Sequence, residues 1–200
     1  MKKIKVAITG NIGSGKSTLS GLLVKKGYAV IIADDISIQL LKTDEFVKRK
    51  VISLFGNEVY TSGKLNNKFV AGKVFSNPEL LDKLNSILHP RVLHEIDKII
   101  EKDFQNEKVI FIESALVYET KIEDNFDYIV LITSDFSLRM KRTLANGKFN
   151  EVDFKNREKN QIPQEEKVKK ADFVFTNNGS EEELFQKAEL LLLTLGIQKK

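Results

Sequence analysis

Cysteine and tryptophan are absent from the 200 residues, proline occurs three times, and histidine twice, as His89 and His94. Without cysteine there is no disulfide, no thiol nucleophile and no thiolate-held zinc, and two histidines leave little for a histidine-based metal centre. Any catalysis must use other side chains. No run reaches the about 18 consecutive apolar residues of a membrane span, and no basic-then-apolar leader follows Met1. A cytoplasmic chain without a membrane partner is expected. Composition, at 42% hydrophobic and 30% charged, is that of one globular domain with room for an inserted subdomain. The net charge of +4 favours polyanions only weakly, so nucleic acid is not an expected partner. The scarcest charge is arginine, with five against 27 lysines, and Arg139, Arg142 and Arg157 fall close together.

What is present begins with Ile4 to Thr9, a short β-branched run ending at glycine, which predicts a buried strand of a parallel sheet. Ser17 to Lys26 puts Leu19, Leu22 and Leu23 on one helical face, Gly27 closes it, and Tyr28 to Ala33 reads as a second strand. From Asp34 to about Ile100 the pattern is helical and more polar, with few strands and a helix start at Ser76-Asn77-Pro78-Glu79. Val109 to Ile112, Tyr128 to Ile132 and Phe173 to Phe175 resume the sheet. Arg139 to Lys170 is charged, with weak helical periodicity, and the run Lys167, Lys169, Lys170 reads as a solvated face. Glu181 to Leu195, with leucines at 184 and 190 to 193, predicts a helix packed on the sheet.

Between the first strand and helix stands Gly10-Asn11-Ile12-Gly13-Ser14-Gly15-Lys16-Ser17, which fits G-x-x-x-x-G-K-[ST] in the strand-then-helix setting that the pattern requires. Glycines let backbone N–H groups converge on phosphate, the helix presents its positive end, and Lys16 adds a point charge. Asn11 through Thr18 are therefore candidate nucleotide contacts. Ser17 supplies a hydroxyl for Mg²⁺, with Thr18 beside it. The expected ligand is ATP with magnesium. A GTPase would need Asp-x-x-Gly and Asn-Lys-x-Asp, yet no Asp has Gly three positions on, and Asn67-Lys68-Phe69-Val70 lacks the Asp. A kinase acting on a small acceptor leads; a non-catalytic ATP-binding regulatory protein stays open.

Asp34 and Asp35 follow the second strand, at its carboxyl end, where a carboxylate could take an acceptor's hydroxyl proton or simply cap a helix. Glu113 follows the third strand and could hold magnesium through water. Asn177-Asn178-Gly179 is a turn after the last strand.

The chain resembles the dephospho-coenzyme A kinases nearly throughout. The resemblance rests on Thr9 to Thr18, Ala33-Asp34, Gly63-x-Leu65, Val74-Phe75 and Leu84-Asn85-x-Ile87-x-His89-Pro90-x-Val92. It continues through Leu116-Val117-Tyr118-Glu119-Thr120, Arg142, Arg157 with Gln161, Lys167 with Ala171-Asp172, and Asn177-Asn178-Gly179. It implies a three-layer α/β P-loop kinase fold with a parallel central sheet, a core of residues 1–33, 101–138 and 171–200, a helical acceptor-binding insert at 34–100 and a helical lid at 139–170. It implies transfer of phosphate from ATP to the ribose 3′-hydroxyl of dephospho-coenzyme A, by a monomer or weak homo-oligomer. By position, Asp34 is then the base, His89-Pro90 an acceptor-binding turn and Leu116 a further acceptor contact. Lys16 and Arg142 act on the transferring phosphoryl group, Ser17 and Glu113 serve the metal, and Asn177 and Gly179 lie by the adenine.

Four stretches depart from the family pattern. Ile32-Ala33-Asp34 replaces Asp-Ala-Asp, Leu65-Asn66-Asn67 replaces Leu-Asp-Arg, Ala115-Leu116-Val117 replaces Pro-Leu-Leu, and Asn146 stands where a second lid arginine is usual. Lys68, Lys141 and Lys148 are the candidate substitutes for the missing guanidinium groups.

Overall fold

The computed structural model describes residues 3–74, 77–147 and 149–197, so Phe75, Ser76 and Lys148 lie outside the described residues. In chain order the elements are β1 (Ile4–Thr9), α1 (Lys16–Lys25), β2 (Ala29–Ile32), α2 (Ala33–Thr43), α3 (Glu45–Phe55), β3 (Tyr60–Thr61), β4 (Lys64–Leu65) and α4 (Asn67–Val74). There follow α5 (Pro78–Asp103), β5 (Val109–Glu113), β6 (Tyr128–Thr133), α6 (Phe136–Ala145), α7 (Glu151–Lys159), α8 (Gln164–Val168), β7 (Phe173–Thr176) and α9 (Glu181–Thr194). The chain divides into two compact units, one of residues 1–32 with 102–200 and one of residues 33–101.

The first unit is an α/β fold around a five-stranded sheet in the order β2-β5-β1-β6-β7, every pairing parallel. Parallel strands covered on both faces read as unbroken apolar runs, and all five residues of β5 are buried. Period-two alternation in β1 sends Val6 and Ile8 into one cluster with Leu19, Leu22 and Leu23 of α1 and Leu184, Ala188, Leu191 and Leu192 of α9. Ala7 faces the other way, toward Val117, Tyr118 and Ile129. Leu190 and Leu193 differ from expectation, being 60% and 58% exposed. Four successive leucines span more than a helical turn, so one face cannot bury them all.

The second unit is helical, with one hairpin. β3 and β4 pair antiparallel through Tyr60 and Leu65, turned by Ser62 and Gly63, both with positive φ. Two-residue strands carry no alternation to read, which is why the sequence reading found few strands here. Asn66 Oδ1 accepts from the Phe69 N–H at 3.1 Å and caps α4, so Asn in the Leu-Asn-Asn variant serves as a helix cap. Asn77 does the same for α5, accepting from the Leu80 N–H at 3.2 Å.

One expectation is overturned outright. His89-Pro90 forms no turn, because α5 runs through it. Leu84, Leu88, Val92, Ile96 and Ile100 recur every four residues and are all buried. Five such burials, at about 1.5–3 kcal/mol each, outweigh the ~3 kcal/mol that an internal proline costs a helix.

Candidate active site

The phosphate loop leaves β1 at Gly10 and enters α1 through Gly15, whose φ of 107° is a left-handed conformation open to glycine. Space is a second constraint. A Cβ on Gly15 would collide with Asn177 Nδ2, and one on Gly13 would collide with the Arg139 carbonyl. Among the described residues no hydrogen bond engages the backbone N–H of Gly13 or Gly15, so these donors and the first turn of α1 can converge on an anion. Lys16 Nζ donates to the Gly10 carbonyl at 2.9 Å and to that of Asn11 at 3.4 Å. The loop borders a cleft of about 480 Å³ lined by Gly13, Lys16, Thr18, Arg142, Asn146 and Phe149, among others.

Ser17 Oγ donates to Glu113 Oε1 at 2.8 Å. Glu113 ends β5 rather than following it, and the register Ile8↔Glu113 puts it beside the strand that feeds the loop. It is 6% exposed, and its Oε2 has no hydrogen-bond partner among the described residues. A hydroxyl and a buried carboxylate oxygen without a partner are hard oxygen donors of the kind Mg²⁺ takes alongside phosphate and water, so these two residues fit the ion.

The other wall comes from α6 and the residues that follow it, and the turn after β7 braces it from behind. Arg142 NH1 donates to the Asn177 carbonyl at 2.8 Å and to Ser134 Oγ at 3.2 Å. Asn177 Nδ2 donates to the Ser14 carbonyl at 2.8 Å, which ties the β7 turn to the phosphate loop. Asn178 Oδ1 accepts from Ser134 Oγ and from the Asp135 N–H. Gly179 is exposed beside them. Asn11 is buried, with its Nδ2 on Glu158 and on the Ile162 carbonyl, and Ile12 gives its N–H to Gln161 Oε1 at 2.8 Å. The Asn11 side chain and the Ile12 N–H thus face the protein, while Ile12 itself lines the cleft together with Gly13 and with Gly15 through Thr18.

Two basic residues sit differently from expectation. Arg139, a charge close to Arg142 in sequence, is 4% exposed and forks onto Glu158 at 2.5 and 2.6 Å, with further bonds to the carbonyls of Ser134 and Ile12. Lys167, read as part of a solvated face, is fully buried, with its Nζ 2.7 Å from Glu119 Oε1. Glu119 also accepts from the Ile162 N–H at 2.9 Å. Sequence reasoning missed Glu158 altogether. The signal was its spacing from Gln161, one helical turn on, but a lone Glu among many charges on α7 does not announce a partner.

Asp34 and His89 belong to the second unit. Asp34 is exposed in the first turn of α2, which starts directly after β2, and Asp35 is exposed beside it. His89 is half-buried in α5, and burial lowers its pKa. Leu116 is half-buried in the turn after β5, where its carbonyl accepts from Thr120. Among the described residues no helix is long and apolar enough to cross a membrane.

The sequence profile of the dephospho-CoA kinases matches residues 4–183. A dephospho-CoA kinase of Fusobacterium nucleatum is 36% identical over 191 residues, covering 95% of this chain and 97% of the relative. Among solved structures, a Thermus thermophilus protein superposes with a TM-score of 0.84 at 31% identity, covering 98% of this chain and 99% of that one. A dephospho-CoA kinase from Campylobacter jejuni superposes at 0.68 with 27% identity, covering 97% and 98%. A phosphate loop with an oxygen-donor pair beside it, carried on this sheet and matched from end to end, settles the lineage: the chain belongs to the dephospho-CoA kinase family of phosphotransferases, which make coenzyme A in the last step of its synthesis.

Proposed function

We propose that the chain carries out its family's reaction, transfer of the γ-phosphoryl group of ATP to the ribose 3′-hydroxyl of dephospho-coenzyme A, with the following division of labour. Gly13, Gly15 and the first turn of α1 bind the phosphates through backbone N–H groups, and Lys16 neutralises charge on the outer ones. Ser17 and Glu113 would hold Mg²⁺, which supplies charge neutralisation across the phosphates. Asp34 accepts the proton as the 3′-oxygen bonds to phosphorus, while the bond from phosphorus to the bridging oxygen breaks and releases ADP. Arg142 forks onto the transferring oxygens, as a planar guanidinium can and a lysine cannot.

Residues 139–170 serve as the lid, which excludes water and so limits wasteful ATP hydrolysis. Residues 34–100 take the acceptor, with His89 and Leu116 seating it, and the Asn177 to Gly179 turn lies by the adenine. The work is done in the cytoplasm by a monomer or weak homo-oligomer. The observation that carries this reading is the Ser17 to Glu113 contact beside Lys16, with one carboxylate oxygen left unmatched.

The test begins with Mg·ATP and a panel of hydroxyl acceptors, and coenzyme A is the product expected by mass. Asp34→Asn should then cut turnover by roughly 10²–10⁴ while leaving ADP affinity unchanged. Unchanged turnover removes Asp34 from the mechanism.

A further inference from the structure

The phosphate loop must keep its donors aimed before any nucleotide arrives, and its two inner residues show what holds it. The Ile12 peptide groups are gripped from both sides. Its N–H donates to Gln161 Oε1 at 2.8 Å, and its carbonyl accepts from Arg139 NH1 at 3.3 Å. The amide of Gln161 is fixed in turn, since its Nε2 donates to the Ala115 carbonyl at 3.3 Å. An N–H on one side and a carbonyl on the other leave one orientation for that amide.

Its neighbours reinforce it. Glu158 takes both ends of the Arg139 guanidinium and also faces Asn11 Nδ2 at 3.4 Å. The Ile162 carbonyl accepts from the same Asn11 amide at 3.3 Å, while the Ile162 N–H is held by Glu119, the partner of buried Lys167. Arg139 stands near the start of α6 and Gln161 just beyond α7, so two separate parts of segment 139–170 hold the two peptide groups that flank one residue of the phosphate loop.

We propose that Gln161 is a positioning residue for nucleotide binding: with Arg139 it clamps Ile12, sets the path of the loop into Gly13, and thereby presets the N–H groups that receive the β-phosphate. Gly13 follows directly with φ of 76°, and its Cα packs against the Arg139 carbonyl, so a shift at Ile12 passes straight to the donors. The clamp rests on the reading of Gly13 to Thr18 as the phosphate site, and the experiment separates the two.

The measurement is ADP affinity by calorimetry, together with KM for ATP and for dephospho-coenzyme A, in wild type, Lys16→Ala, Gln161→Ala and Gln161→Met. Methionine keeps the length and bulk of glutamine and removes both hydrogen bonds, so the fold survives if alanine compromises it. ADP binding by the wild type that is lost in Lys16→Ala upholds the phosphate site on its own. Given that, both Gln161 variants should bind ADP about tenfold more weakly, the scale of losing one buried N–H partner. KM for ATP should rise in step, with kcat and the acceptor KM within twofold of wild type. A merely structural role would lower the folded fraction and leave these constants untouched. Wild-type ADP affinity in both variants, or an equal rise in the acceptor KM, overturns the clamp.

Discussion

At the scale of single residues, the buried Lys167 and Glu119 pair shows how a charge can be invisible in sequence and decisive in space. Removing one partner strands the other in a dry site, which costs about 3–5 kcal/mol. Lys167→Met should therefore lower stability by about 3 kcal/mol in urea unfolding. Adding Glu119→Gln should recover part of it, because the amide still accepts from the Ile162 N–H without a charge. His89 gives a prediction in pH. Burial lowers its pKa in the folded state, so the unfolded chain binds the proton more readily. Stability is then full above the unfolded pKa of ~6.5 and declines as pH falls below it. His89→Gln should flatten that decline when urea midpoints are compared at pH 7.5 and about 5.5. The phosphate loop was legible because backbone geometry ties its spacing to its chemistry. Arg139 and Lys167 were not, since their partners Glu158 and Glu119 lie far off in sequence and only folding brings them near.

At the scale of elements, the sheet strands could be read from the sequence and some helix limits could not. Runs such as Val109 to Ile112 are buried on both faces, so composition alone marks them. α5 misled for a definite reason: Pro90 is a local signal, while the stripe from Leu84 to Ile100 acts over the whole helix. Proline there lacks the N–H that would bond back to Ser86. Pro90→Ala should therefore restore that bond and raise thermal stability by about 1–3 kcal/mol, with circular dichroism reporting no loss of helix. An unchanged or lower melting temperature would mean that α5 is bent around Pro90 in a way its packing requires.

At the scale of the whole molecule, the two units differ in what sequence can say of them. The first has strands in a fixed parallel order and a motif at the β1 to α1 turn, so its chemistry follows from topology. The second holds Asp34 and His89 on helices without a comparable signature: its place after β2 marked Asp34 as a candidate base or helix cap, whereas His89 was singled out by resemblance alone.

Strand order also has a consequence for birth. β1 and β2 are consecutive in the chain but not neighbours in the sheet, because β5 lies between them and pairs with both. A ribosome must therefore release the chain past Glu113 before either early strand finds its partner, and until then the phosphate loop is tethered to nothing. Chains halted at Phe104 should retain no ADP on a filter, whereas release of the full chain should bring binding and protease resistance together. The phosphate loop, encoded within the first twenty residues, is among the last parts to become functional.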